Sequence, residues 1–340
     1  MKSDSLAYHL TNFFNEYLPS QRNASANTIK TYRDAFVLFL RFCRDRKRWR
    51  LDKIQLHSIN AQVILEFLET LQTERCCSVA TRNQRLIALH VFFRYVQTEI
   101  PELLTQCQRI LAIPSSRCNR APLHYLSLQD IAALLEQPNR SHPSGRRDCV
   151  LLSVLYDTAA RVQEIINLLT KDIRLDSPAQ VRLLGKGRKI RIVPLMSNTV
   201  NLLTGHMRER NLFEPHRGDE PLFVNRSGGR LSRSGVRHIL LKYAEKAGLL
   251  TADERRSVSP HMIRHSRAMH LLEAGTPIVV IRDLLGHVDV KTTEIYARAN
   301  LEMKRQALEK LEPLSPDHLL EPIPPRWQTD KNLLDWLRAL

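Results

Sequence analysis

The chain has 340 residues, with 51 Lys and Arg against 35 Asp and Glu, a formal charge of +16 and a pI near 9.9, a balance suited to a polyanionic partner. No apolar run approaches the roughly 18 residues needed to span a bilayer, and the opening MKSDSLAYHL lacks the features of a secretory signal, so neither a membrane protein nor a secreted one is expected. Cys43, Cys76, Cys77, Cys107, Cys118 and Cys149 show no disulfide-framework spacing and read as reduced thiols of a cytoplasmic protein.

This length predicts two domains and a tail. Residues 1–112 read as wholly helical, with helices over 6–18, 27–46, 60–73 and 78–97; Ile29, Phe36, Phe39 and Leu40 give the second its apolar stripe. The run RFCRDRKRWRLDK at 41–53 reads either as a solvated face or as a contact to a nucleic-acid backbone. Residues 113–126 are polar, proline-bearing and aperiodic, and form the expected interdomain linker.

From 127 to 312 the pattern is mostly helical, with one small antiparallel sheet near 173–195. YDTAARVQEIINLL reads as a buried helix, a tight turn at Thr158 to Ala160, and a second helix starting near Arg161. VRLLGKGRKIRIVPL reads as two strands joined by the Gly185 to Gly187 turn, with Lys186 at its tip and Arg188 beside it. A turn at Gly228 and Gly229 leads into a helix whose first turns carry Ser232, Arg233 and Arg237, a ready phosphate site.

SPHMIRHSRAMHLLEAG predicts a helix with Ser259 as N-cap, Pro260 at its first position and Gly275 just past its end. His261 and Arg264 then share a face. In LLGHVDVKTTEIYARA, Gly286 reads as a helix C-cap, with His287 next and Tyr296 nine residues later in a short polar helix. Residues 313–340 are a proline-rich tail ending in a short helix, where Leu333, Leu334, Trp336, Leu337 and Leu340 give an apolar face that must dock on its own domain or on a neighbouring protomer.

Over roughly 127–312 these motifs resemble the tyrosine recombinase (phage integrase) family. Its members carry Thr-Gly-x-Arg-x-x-Glu, a hairpin lysine, His-x-x-Arg-His, Leu-Gly-His and a tyrosine nine residues on. This chain shows Thr158-Ala-Ala-Arg161-Val-Gln-Glu164, Lys186, His261-Met-Ile-Arg264-His265, Leu285-Gly286-His287 and Tyr296, in that order. Each fragment is weak alone; together they are specific. We take Ala160 to stand where the family has glycine, a substitution disfavoured if that position needs positive φ.

The resemblance implies a mainly α fold with a small antiparallel β-sheet, a two-domain clamp of a helical, SAM-like core-binding bundle and an α+β catalytic domain. It implies that Arg161 and Arg264 clamp the scissile phosphate through paired hydrogen bonds, with His287 donating to the same phosphate. His261 would take the proton of the nucleophile Tyr296, and Lys186 would protonate the leaving 5′ oxygen. Glu164 would orient Arg161 or a neighbour, while His265 and His270 read as structural. In the first domain, Thr28, Lys30, Arg82, Asn83 and Arg85 would face the major groove, and Arg188, Ser232, Arg233 and Arg237 would add contacts from the second.

A covalent 3′-phosphotyrosyl link stores the energy of the broken bond, so no cofactor is implied. Nor is a metal: His261 and His265 have i,i+4 spacing, but no glutamate base or CxxC completes a zinc motif. The implied partner is double-stranded DNA with inverted-repeat core sites, bound by a tetramer on paired sites, with sister recombinases possible. The absence of an internal arm-binding domain favours a simple-site recombinase, with integration or transposition of a mobile element the first reading, in a prokaryotic cytoplasm. A Xer-type dimer resolvase, a type IB topoisomerase and a catalytically inert DNA-binding regulator stay open as alternatives.

Overall fold

The computed structural model describes residues 4–118, 124–185, 187, 189–250, 258–286, 293 and 296. The chain divides into two units, Met1–Ala121 and Pro122–Leu340.

The first unit is a helical bundle. Helix α1, Leu6–Asn12, runs into a π-helical segment, Phe13–Gln21, and is followed by α2, Ala26–Asp45, α3, Ala61–Thr73, α4, Val79–Glu99, and α5, Leu104–Leu111. Ser25, Asn60 and Ser78 cap α2, α3 and α4 by accepting the backbone N–H of Thr28, Val63 and Thr81. Phe13, Phe36, Phe39, Phe67 and Phe92 fill the core. The single helix expected over 6–18 is corrected. It stays α only to Asn12, and the wider turns that follow contain Pro19, which cannot donate a backbone hydrogen bond. There the N–H of Arg22 bonds to Tyr17 O five residues back, and Phe13 packs edge-on against both Phe36 and Phe92. Helix α5, which the periodicity did not reveal, is short and buries Cys107 and Ile110.

The second unit contains α6, Leu128–Glu136, α7, Pro143–Asp157, and α8, Val162–Asn167. An antiparallel sheet follows, β1, Ile173–Arg174, β2, Gln180–Leu184, and β3, Ile190–Pro194, in the order β1-β2-β3. Then come α9, Ser197–Glu209, α10, Arg233–Lys246, α11, Pro260–Glu273, and α12, Ile278–Leu285. Helix α7 is the central element: Leu151, Leu152, Val154 and Leu155 are buried in one core with Val181, Leu183 and Val193 of the sheet and Leu240 of α10. Strand alternation sends Val181, Leu183 and Val193 inward, while Leu184, Ile190 and Ile192 stay exposed. The pair Leu184↔Ile190 closes the hairpin expected around Gly185 to Gly187.

Candidate active site

The site begins where α7 stops. Thr158 is fully buried, and its hydroxyl donates to Val154 O at 2.6 Å while accepting the Ala160 N–H at 3.3 Å, which bends the chain into a tight turn. The left-handed residue of this turn is Ala159, φ 47°. That corrects the expectation for Ala160, because the strained position is the one directly after the threonine, where Thr-Gly-x-Arg has its glycine. The turn delivers Arg161 to the N-cap of α8.

Glu164, only 5% exposed, gathers four hydrogen bonds. Arg161 gives two, from its backbone N–H to Oε2 at 2.8 Å and from Nη1 to Oε1 at 2.9 Å. Arg191, on β3, gives the other two, from Nη1 to Oε1 at 3.0 Å and from Nη2 to Oε2 at 2.7 Å. Burial pushes the Glu164 carboxyl up, but the hydrogen bonds and charge of Arg191, followed by those of Arg161, outweigh it and hold the group below its ordinary range. It is a carboxylate at neutral pH.

Helix α11 supplies the next residues. Ser259 accepts the Met262 N–H, with Pro260 at the first helical position, and Gly275 follows the helix with φ 80°. Arg264, 2% exposed, donates from Nη1 to Ala159 O at 2.7 Å and from Nη2 to Leu285 O at 2.6 Å. It therefore joins the turn before Arg161 to the C-terminus of α12. Burial, then the charges of Arg161 and Arg191, push its pKa down to about 9, so it remains a cation at pH 7. Arg161 reaches the same place, with Nη2 3.5 Å from Gly286 O. Gly286 caps α12 with φ 63°, as its position in Leu-Gly-His predicts.

Tyr296 completes the cluster. Its ring is 2% exposed, and its hydroxyl lies 2.7 Å from His265 Nδ1. Burial raises the phenol pKa, while the nearby charges of Arg264 and Arg161 pull it part of the way back. The group is a neutral phenol at pH 7. His261 is exposed, and its ring lies 6.4 Å from that of His265. Desolvation by the surrounding protein, then Arg264 and Arg161, lower its pKa, and burial, then His261 and Arg264, lower that of His265. Both rings are held neutral near pH 7 and so can accept a proton.

The arrangement sets two guanidinium groups beside a neutral phenol and two neutral imidazoles, groups of the kind that phosphoryl transfer employs. Residues 124–303 match the model of the phage integrase family, and residues 12–99 match that of the phage integrase N-terminal SAM-like domain. The chain belongs to the phage integrase family. It is a tyrosine recombinase, of the class of enzymes that cleave and rejoin DNA. A relative from Sinorhizobium fredii (strain NBRC 101917 / NGR234), named "Putative integrase/recombinase y4rC", is 40% identical over 100% of this chain and 99% of its own length. Tyrosine recombinase XerC of Roseiflexus castenholzii (strain DSM 13941 / HLO8) is 33% identical over 85% of this chain and 88% of its own. The fold matches that of the XerH site-specific recombinase in its post-cleavage complex with a palindromic difH substrate, with a TM-score of 0.67 and 24% identity over 86% of this chain and 82% of that one.

In this recombinase the structure brings Arg161, Glu164, His261, Arg264 and Tyr296 together; Lys186, Arg188, His287 and the tail expected at 313–340 to end in a short helix lie outside the described residues. Two contributors were not expected. His265, read from the sequence as structural, touches the hydroxyl of Tyr296, and Arg191, which no motif named, holds Glu164. The second had a signal: strand alternation puts Arg191 on the same inward side as buried Val193, an unusual place for a charge.

The residues expected to meet DNA are placed unevenly. Lys30, Ser232, Arg233 and Arg237 are exposed; Arg233 donates to Gln163 Oε1 at 2.6 Å, and Ser232 Oγ caps α10 through the Gly235 N–H. Thr28 shares a hydroxyl contact with Ser25 at 2.9 Å. Arg82 departs from the exposed position expected of it, being 8% exposed with Nη1 on Asn83 Oδ1. The reason is that the start of α4 is packed within its own unit. Asn83 exchanges hydrogen bonds with Ser116, and Arg85 Nη1 donates to Thr31 O on α2. In the basic run, Arg44, Arg46, Lys47 and Arg50 pair with Asp45, Glu74, Glu66 and Asp52, which suits a solvated ionic face.

Proposed function

We propose that this tyrosine recombinase integrates or transposes a mobile element by exchanging strands between two core sites of double-stranded DNA. The observation that carries the chemistry is the convergence of Arg161 at the start of α8, His261 and Arg264 on α11, and Tyr296 into one cluster, where Arg264 binds the turn before Arg161 and the charges act on each other. The choice of biological role leans on the relative named an integrase/recombinase, which matches end to end at higher identity than the XerC protein.

In the proposed reaction Arg161, Arg264 and His287 bind the non-bridging oxygens of the scissile phosphate. The Tyr296 hydroxyl loses its proton to a neutral imidazole, His261 in the reading from the family motif, and its oxygen bonds to phosphorus. The bond from phosphorus to the 5′ oxygen breaks, and Lys186 gives that oxygen its proton. The products are a 3′-phosphotyrosyl link and a free 5′ hydroxyl. The reverse attack by a 5′ hydroxyl from the partner site rejoins the strand, and the stored ester needs no nucleotide or metal to drive it. Strand exchange two strands at a time, through a Holliday junction, calls for four protomers on paired inverted-repeat sites, and the tail helix would link neighbours.

The XerC relative supports a second reading, resolution of chromosome or plasmid dimers. The test is a plasmid carrying two copies of a candidate inverted-repeat core site, incubated with purified protein. Deletion or inversion between the two copies supports the integrase reading, whereas recombination only at a chromosomal dimer-resolution site favours the Xer-type role. Relaxation of a supercoiled plasmid with no need for paired sites would overturn both.

A further inference from the structure

Arg191 stands outside the family motif but at the mechanical centre of the site. Its guanidinium spans both oxygens of Glu164 and donates from Nε to Leu284 O at 2.8 Å. Its side chain is 10% exposed. Three parts of the site meet on this one group: β3, five residues along the chain from Lys186; Glu164, which grips the backbone and guanidinium of Arg161; and the end of α12, one residue before the Arg264 acceptor Leu285 O. The fit is close, because a Cβ placed on Gly286 would lie 3.0 Å from Arg191 Cδ. An ammonium group could neutralise Glu164, but it has no planar fork to meet both carboxylate oxygens and a carbonyl at once.

We propose that Arg191 is a positioning residue for strand cleavage: through Glu164 it fixes Arg161, and through Leu284 it fixes the end of α12, where Leu285 O meets Arg264. It acts on the phosphate clamp and not on protonation of the leaving group. This rests on the phosphoryl-transfer reading above.

The experiment measures covalent adduct formation on a nicked half-site, together with half-site affinity and thermal stability, for the full chain. Arg191→Lys keeps the charge and is expected to lower cleavage about 10–100-fold, the usual effect of losing a group that orients a site residue. Its half-site affinity stays at the wild-type level. Replacing the bridging 5′ oxygen by sulfur removes the need for a general acid, so this substrate rescues Lys186→Ala and leaves the Arg191→Lys defect in place. Combined with Glu164→Gln, Arg191→Lys is no worse than the more damaging single change, because both act along one path.

A purely structural ion pair would let cleavage recover once both of its charges are removed together. The double variant Glu164→Leu with Arg191→Met removes both buried charges and should be more stable than Arg191→Met alone, yet cleave no better. Recovery of cleavage in that double variant, wild-type rates in folded Arg191→Lys, or rescue of Arg191→Lys by the 5′-thio substrate would each overturn the role given to Arg191. A wild-type chain that forms no adduct refutes the function itself, a result read separately from the comparison of variants.

Discussion

Glu164→Gln is the sharpest perturbation of the site's framework. The carboxylate accepts four hydrogen bonds, two from Arg191 and two from Arg161, and an amide keeps one accepting oxygen while turning an NH2 toward donors. Two of the four bonds are therefore lost, at about 1.5–3 kcal/mol each for hydrogen bonds to charged groups. Breaking a buried pair from one side costs about 3–5 kcal/mol, a consistent range. The side chain of Arg161 is 31% exposed and can turn to water, so the loss falls chiefly on Arg191 and toward the lower end. At about 2–4 °C per kcal/mol for a domain of this size, 3 kcal/mol lowers the melting temperature of the second unit by about 6–12 °C. The pH dependence has a definite sign. The folded pKa of Glu164 lies below its unfolded value of 4.5, so its stabilisation is complete above that value and is lost as pH falls through the folded pKa. Calorimetry of both proteins should show a gap at pH 7 that narrows below pH 4.5. A gap of less than 1 kcal/mol at pH 7, or one that widens in acid, would refute the assignment of Glu164 as a buried carboxylate holding two arginines.

Gly286→Ala combines a positive φ of 63° with a Cβ 3.0 Å from Arg191 Cδ, so we expect a loss of about 1–2 kcal/mol from the backbone alone and slower cleavage as Arg191 shifts; unchanged melting and cleavage would contradict the close fit. If neutral His261 is the base, its lowered pKa places the acid limb of the cleavage rate below pH 6.5, and an acid limb above that value in single-turnover kinetics would remove it from the role.

The sequence carried the site better than it carried the framework around it. Motif residues sit at helix ends and turns with local signals, so Ser259, Pro260 and Gly286 announce the elements that carry Arg264 and the Leu285 to Gly286 turn. The misplaced glycine position shows the limit of such signals: Thr158-Ala-Ala-Arg161 gives two candidates for a left-handed residue, and only the hydrogen bonds of the Thr158 hydroxyl select Ala159. Contacts between residues distant in the chain were less legible. Arg191 and Glu164 are 27 residues apart, and His265 and Tyr296 are 31 apart. Strand alternation could have turned Arg191 inward, but nothing local names the carboxylate it meets. The same holds for Arg82, which the family resemblance turned toward the major groove and which is 8% exposed beside Asn83, itself bonded to Ser116.

The central claim, that Tyr296 is the nucleophile, is tested most directly by mapping the covalent product. A nicked half-site traps the cleaved strand on the protein, and proteolysis followed by mass spectrometry locates the nucleotide-bearing residue. A 3′-phosphotyrosyl link is expected on the peptide containing Tyr296, and the Tyr296→Phe protein should bind the half-site as the wild type does yet form no adduct. An adduct on any other residue, or one that survives in the Tyr296→Phe protein, would contradict the claim.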